Sequence, residues 1–208
     1  MELMLVRHGE STGNAAREAA IRADADTFDV PEREADIPLS PRGRDQAAAV
    51  GRWLAGFPEP TLVLSSPYVR ALETVRIATG RTDIRVDERL RDRDMGVFAR
   101  LTPEGVRRRL PAEHAEQRRL GKFYYRPPGG ESWADVALRL RTVLAELPAD
   151  GRVLIGAHDA VIVLVRYIVE GLSEAEVMEI EKETVANASV SHWKDGEPVV
   201  YNDVSFLD

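Results

Sequence analysis

Apolar positions along this chain follow two rhythms. Short runs rich in β-branched and aliphatic residues occur at "LMLV" (3–6), "TLVLSS" (61–66), "IRV" (84–86), "VLIGA" (153–157), "SVSHW" (189–193) and "PVVY" (198–201), and each predicts a strand. Between them the apolar residues recur at helical spacing. "SPRGRDQAAAVGRWLAGF" (40–57) opens with Ser40 as N-cap and Pro41 at the first helical position. "PYVRALETVRIATG" (67–80) starts on a proline and closes on Gly80. "ESWADVALRLRTVLAELP" (131–148) puts Val136, Leu140, Val143, Leu144 and Leu147 on one face. "DAVIVLVRYIVEGL" (159–172) is apolar nearly all round, the mark of a buried helix, whereas "SEAEVMEIEKE" (173–183) is acidic and predicts an exposed one.

Strands alternating with helices predict an α/β fold with a largely parallel sheet. In such sheets ligands bind beyond the carboxyl ends of the strands. The strands predicted at 3–6, 61–66 and 153–157 run directly into Arg7-His8, Ser65-Ser66 and His158, so these residues are expected along one edge. Two stretches break the rhythm. Residues 15–38 are acidic and weakly patterned, and residues 95–131 carry a basic run; both read as insertions at the active edge of a single domain spanning 1–208.

Composition narrows the chemistry. The 208 residues include no cysteine, which excludes disulfides, thiol catalysis and cysteine metal sites, and suits a cytoplasmic setting. A net charge of −7 argues against a nucleic-acid binder. It leaves room for a small anionic substrate, because a local arginine cluster outweighs a distant field. No leader peptide is evident, and the longest apolar stretch, 153–169, is interrupted by His158, Asp159 and Arg166, so no membrane span is expected. The four histidines (His8, His114, His158 and His192) show no metal-ligand spacing and no Walker loop is present, so neither a metal nor a cofactor is expected.

Arg7 and His8 follow a strand, and Gly9 is read as allowing a tight turn there. An arginine beside a histidine suits a phosphate ester. The guanidinium fork matches phosphate oxygens, and its charge disfavours imidazolium, leaving a ring nitrogen free to attack phosphorus. Arg70 falls in the first turn of a helix, where anions are attracted, and His158 ends a third strand. Each alone is compatible with a surface charge or a core histidine; together at one sheet edge they point to a site.

The successive segments "LVRHGESTGN", "LSPRGRDQA", "LSSPYVRALETV", "LRDRDMG", "PPGGESWADV" and "LIGAHDAVI" resemble, in order, the motifs of the histidine phosphatase superfamily, in its phosphoglycerate mutase-like, broad-phosphatase branch. The resemblance implies a three-layer α/β/α sandwich. It implies that His8 is the nucleophile that becomes phosphohistidine, and that Arg7, Arg70 and His158 bind phosphate oxygens and stabilise the transition state. Asn14 matches a further phosphate contact, and Ser11 of the same motif is assigned to the substrate. Asp92 occupies the position where the family usually has an acidic glutamate, which makes it the general acid. After Gly96 the family often has a second glycine, whereas here "VFARLTPEG" follows. Where relatives carry a substrate-covering segment, Tyr124, Tyr125 and Arg126 are assigned to substrate binding. Asp159, after the second histidine, is read as a helix cap. The implied activity is phosphomonoester hydrolysis on a small phosphorylated substrate. A phosphoglycerate mutase-type transfer and a non-catalytic phospholigand-binding module stand as alternatives. Relatives occur as monomers and as dimers, so a homodimer stays open.

Overall fold

The computed structural model describes residues 1–207. All six expected strands form: β1 (Glu2–Arg7), β2 (Leu62–Ser65), β3 (Arg85–Val86), β4 (Arg152–Ala157), β5 (Val190–Lys194) and β6 (Glu197–Asp203). They make one sheet in the order β3-β2-β4-β1-β5-β6. The β3–β2, β2–β4 and β4–β1 pairs are parallel, and β5 runs antiparallel to both β1 and β6. The sheet is therefore mostly parallel, as expected of strands joined by helical crossovers.

Residues alternate across each strand and so sort into two cores. Leu3, Leu5, Leu64, Val153 and Ile155 face one layer of helices, where they meet α6 (Trp133–Ala145), α7 (Asp159–Val169) and α8 (Glu174–Ile180). Met4, Val6, Val63, Leu154 and Val190 face the other, where they meet Val50 of α2 (Pro41–Leu54) and Val75 of α3 (Val69–Thr79). The result is the three-layer α/β/α sandwich. α7 buries Ala160 through Val165 without a break, which is why its sequence shows no polar face. Each fully buried aliphatic side chain of this kind contributes roughly 1.5–3 kcal/mol of transfer free energy.

Register decides where the site lies. Arg7 pairs with Ala157, and Ser65 with Gly156. The ladder continues one step further, with His8 N–H donating to Ala157 O at 3.0 Å and Ser66 N–H to Gly156 O at 2.9 Å. Three strands thus end level, and His8, Ser66 and His158 emerge side by side.

The two weakly patterned stretches hold three helices that their sequences did not announce: α1 (Thr12–Arg22), α4 (Pro103–Arg109) and α5 (Pro111–Leu120). α1 buries only Gly13 and Ala20, and α5 buries nothing, so neither has an apolar stripe to read. They are specified at their starts instead. Ser11 and Asn14 form a capping box on α1, and Pro111 opens α5. The stretches also bind each other. Thr27 bridges Leu101, Phe28 N–H donates to Arg100 O at 3.1 Å, and Thr102 N–H to Asp26 O at 2.9 Å. The basic run is largely neutralised by local and neighbouring acids. Arg108 pairs with Asp24 and Asp26, Arg109 with Asp26, Arg107 with Glu104 and Arg119 with Glu116.

Candidate active site

Beyond the level strand ends lies a cleft of about 510 Å³, lined by Arg7, His8, Ser11, Asn14, Arg70 and Asp92 among others. Residues of both weakly patterned stretches, including Phe28, Glu34, Phe98 and Arg100, form part of its wall.

His8 is 3% exposed and its tautomer follows from its partner. Nδ1 lies 2.7 Å from Gly9 O. A carbonyl only accepts, so Nδ1 carries the ring hydrogen and Nε2 keeps its lone pair. Arg70 Nε donates to that Nε2 at 3.3 Å. Burial foremost, then the charge of Arg70, the neighbouring His158 and the charge of Arg7, hold the His8 pKa well below the usual histidine range. The ring is neutral at physiological pH with its nucleophilic atom turned to the cationic side of the cleft.

His158 is fully buried, and its ring centroid is 5.2 Å from that of His8, edge to face. Burial, followed by Arg70, Arg7 and Arg139, depresses its pKa as well. Its Nε2 is 2.8 Å from Ser66 Oγ, which itself accepts from Tyr68 N–H at 3.2 Å. Ser66 Oγ can donate to or accept from Nε2, so the tautomer is set on the other side of the ring: a hydrogen on Nδ1, with Ser66 Oγ donating to Nε2, suits the acceptor that faces Nδ1. Nδ1 lies 3.4 Å from Asp92 Oδ2. With the ring neutral this is an imidazole N–H facing a carboxylate rather than an ion pair.

The cations come from separate elements. Arg7, the last residue of β1, donates through Nη1 to Val185 O, in the loop before β5. Its buried Nε has no protein partner. Arg70, in the first turn of α3, is 3% exposed. Its Nη2 reaches Asp92 Oδ2 at 3.2 Å and Glu34 Oε1 at 3.0 Å, while Nη1 donates to Glu34 O at 2.7 Å. The Arg70 guanidinium also lies 4.9 Å from the Tyr68 ring centroid.

Gly9 has a different role from the one its sequence position suggests. Its φ is not positive. A Cβ there would lie 2.3 Å from Gly43 O, and one on Gly43 would lie 2.0 Å from Glu10 O. The two glycines let the start of α2 close onto the loop that carries His8. Asn14 Oδ1 accepts from Ser11 N–H, Ser11 Oγ and Asn187 Nδ2 at 3.0, 2.9 and 3.2 Å, which leaves the Asn14 amide nitrogen as its free donor. The Ser11 hydroxyl is committed to this cap, so at the cleft wall Ser11 orients Asn14. Asp159 accepts from Ala160 N–H at 2.7 Å and fastens the start of α7.

Three expected substrate residues do not reach the cleft. Tyr124 is 56% exposed and its hydroxyl bonds to Glu174. Tyr125 is buried against Phe98, with its hydroxyl on Glu113 at 2.6 Å. Arg126 pairs with Asp135, the N3 residue of the α6 capping box. Their side chains serve packing and helix capping; only Phe98, under Tyr125, lines the cleft. Glu34, Tyr68, Arg93 and Arg100, which no motif singles out, line the cleft instead. Asn187 Nδ2 also donates to His8 O at 3.1 Å, tying the loop before β5 to the nucleophile's backbone. No sequence signal joins that loop to His8 across 179 positions.

Comparison with known proteins agrees with this geometry. Over 181 residues the chain is 31% identical to a 6-phosphofructo-2-kinase/fructose-2,6-bisphosphatase of Caenorhabditis elegans, covering 86% of this chain but only 36% of that longer protein. It is 30% identical over 204 residues to a 2,3-bisphosphoglycerate-dependent phosphoglycerate mutase 2 of Gloeobacter violaceus, covering 93% of this chain and 87% of the mutase. A mycobacterial glucosyl-3-phosphoglycerate phosphatase, solved with VO3, superposes with a TM-score of 0.77 at 27% identity, over 97% of this chain and 98% of that one. The α-ribazole phosphatase of Shigella flexneri shares the fold at a TM-score of 0.76 and 21% identity, over 98% and 96%. The family model of the histidine phosphatase superfamily, branch 1, matches residues 3–202. With that match spanning nearly every residue, site included, the chain belongs to the histidine phosphatase superfamily.

Proposed function

We propose that this protein hydrolyses phosphomonoesters of small molecules in two displacements through phosphohistidine on His8. The observation that carries the reading is the fixed tautomer: Nδ1–H on Gly9 O leaves a neutral, buried Nε2 beside Arg70 and His158. A bound phosphate dianion takes donors from Arg7, Arg70, His158 Nδ1 and the Asn14 amide. These stabilise the charge on the equatorial oxygens as phosphorus moves. The His8 Nε2 lone pair forms the N–P bond while the ester P–O bond breaks, and Asp92, which takes up a proton as the bound phosphate replaces it on Arg70, gives that proton to the departing alcohol. Asp92, now a carboxylate, takes a proton from water as that water attacks phosphorus. The N–P bond then breaks, leaving neutral His8 and inorganic phosphate. Splitting one displacement into two is what the covalent intermediate achieves. Asp92 beside both Arg70 and His158 supports hydrolysis over a module that only binds phospholigands.

We propose that the reaction needs no metal, since nucleophile, acid and charge stabilisation all come from side chains, and we place it in the cytoplasm, a setting that the cysteine-free sequence suits. Among the described residues no helix is long and apolar enough to cross a membrane. We treat 15–38 and 95–131 as insertions of one domain that cover the substrate. The likeness to phosphoglycerate mutases supports a second reading, transfer back to the same bound molecule; isotope label kept between substrate and product would favour it.

The test is hydrolysis of p-nitrophenyl phosphate in the presence of a chelator, with trapping of radiolabelled phosphate as an acid-labile, base-stable adduct. Wild-type protein is expected to turn over and to trap label, and His8→Ala to lose both, the rate by more than about 10³-fold. Undiminished turnover by His8→Ala overturns the assignment.

A further inference from the structure

Arg100 stands in a left-handed backbone conformation, φ 63°, which costs a side-chain-bearing residue on the order of 1 kcal/mol where glycine would adopt it freely. The conformation is held from outside, by Phe28 N–H on Arg100 O and the Thr27–Leu101 bridge. Its guanidinium is aimed rather than loose. Nη2 donates to Glu32 O at 2.8 Å, and Cζ lies 5.7 Å from the Phe28 ring centroid. Yet Nη1 is buried without a hydrogen-bond partner. Arg93 repeats the pattern: 8% exposed, its Nε donating to Glu131 O at 2.7 Å, and its Nη2 buried without a partner. Both arginines line the same cleft as His8. Several carboxylates on that wall already have partners: Glu34 holds Arg70, Glu181 holds Lys122, and Asp94 accepts from Gly96 N–H. Native structures rarely leave buried donors unpaired, and strained residues persist where a site uses them.

We infer that Arg100, together with Arg93, binds a second anionic group of the substrate, a carboxylate or phosphate distinct from the phosphoryl group that His8 attacks. Arginine suits both groups through its planar fork. This rests on the phosphatase reading for its catalytic arm only. The strained position makes a usable variant available: Arg100→Gly removes the guanidinium, and the relief of φ offsets the lost Glu32 hydrogen bond and the entropy of a new glycine, so the variant should fold.

The assay compares matched pairs. 3-Phosphoglycerate and glycerol 3-phosphate differ by a carboxylate in place of a hydroxymethyl group; fructose 1,6-bisphosphate and fructose 6-phosphate differ by the second phosphate. Wild-type kcat/KM should favour the more anionic member of at least one pair by roughly 10- to 100-fold, the value of a charge-assisted hydrogen bond between largely buried partners. The favoured pair names the group. Arg100→Gly should reduce that ratio at least tenfold. The same pairs titrated calorimetrically into His8→Ala protein give the binding preference without turnover, so a failure of hydrolysis does not hide the answer. No preference for either more anionic ligand in the wild-type and His8→Ala proteins, or a preference that survives Arg100→Gly, overturns the inference.

Discussion

Glu34 offers the most direct check on how charge is arranged in this cleft. Its carboxylate and its backbone carbonyl together occupy two nitrogens of Arg70, the arginine nearest the nucleophile. A substrate phosphate must use those same donors, so Glu34 competes with it. Replacing Glu34 by glutamine removes the charge but keeps an acceptor, and the backbone bond to Nη1 at 2.7 Å is untouched, so Arg70 stays in place. A phosphate oxygen on Arg70 would lie about 4 Å from the Glu34 carboxylate. Unit charges at that distance repel by about 1 kcal/mol in water and about 4 kcal/mol at an effective dielectric of 20. Glu34 is 55% exposed, which puts the value near the lower end. For a dianion the expected relief is about 1–2 kcal/mol, or roughly 5- to 30-fold in affinity. The assay is the inhibition constant of inorganic phosphate against p-nitrophenyl phosphate at fixed pH and ionic strength. Glu34→Gln should bind phosphate more tightly, and added salt should narrow the gap. Equal or weaker binding would refute the reasoning and make Glu34 a support that positions Arg70.

Asp92→Asn should slow alkyl phosphates by roughly 10²–10⁴-fold, the usual worth of a general acid, and p-nitrophenyl phosphate far less, because its leaving group departs without a proton; equal losses on both would remove Asp92 from the acid role. Stability should also follow pH with a defined sign. His8 and His158 are held below their usual range by burial and arginines, so between their folded-state values and about 6.5 the unfolded chain binds protons that the folded chain does not. Stability therefore rises with pH through that window and is lost as pH falls, by up to about 1.4 kcal/mol per pH unit for each histidine. Melting temperatures between pH 7 and 5 should show the decline, shallower in His158→Gln; a flat wild-type profile would contradict the burial argument.

Much of the fold was legible because its central elements bury one face or all faces. β1, β2 and β4 are apolar runs that stop at polar residues, and α7 is apolar throughout, so each announced itself. α1, α4 and α5 bury too little to create a period, so their sequences carry no helical rhythm. At the site, Arg7, His8, Arg70, Asp92 and His158 could be picked out because each follows a strand or sits in an ordered motif. Tyr124, Tyr125 and Arg126 lie outside the cleft lining, against expectation, for the opposite reason. An aromatic-basic cluster looks the same in sequence whether it faces a ligand or packs against Phe98 and caps α6.

By itself the amino-acid sequence determined the strands, the buried helices, and the residue types that could carry a phosphoryl group. Those are local matters: hydrophobic spacing, capping, and side-chain chemistry. Tertiary structure alone decided which nitrogen of His8 is free, that Glu34 lies on Arg70, that Gly9 and Gly43 meet, and that Arg93 and Arg100 share the nucleophile's cleft. These depend on parallel register and on contacts between segments tens to nearly two hundred residues apart, and no short-range periodicity encodes a distance of that kind.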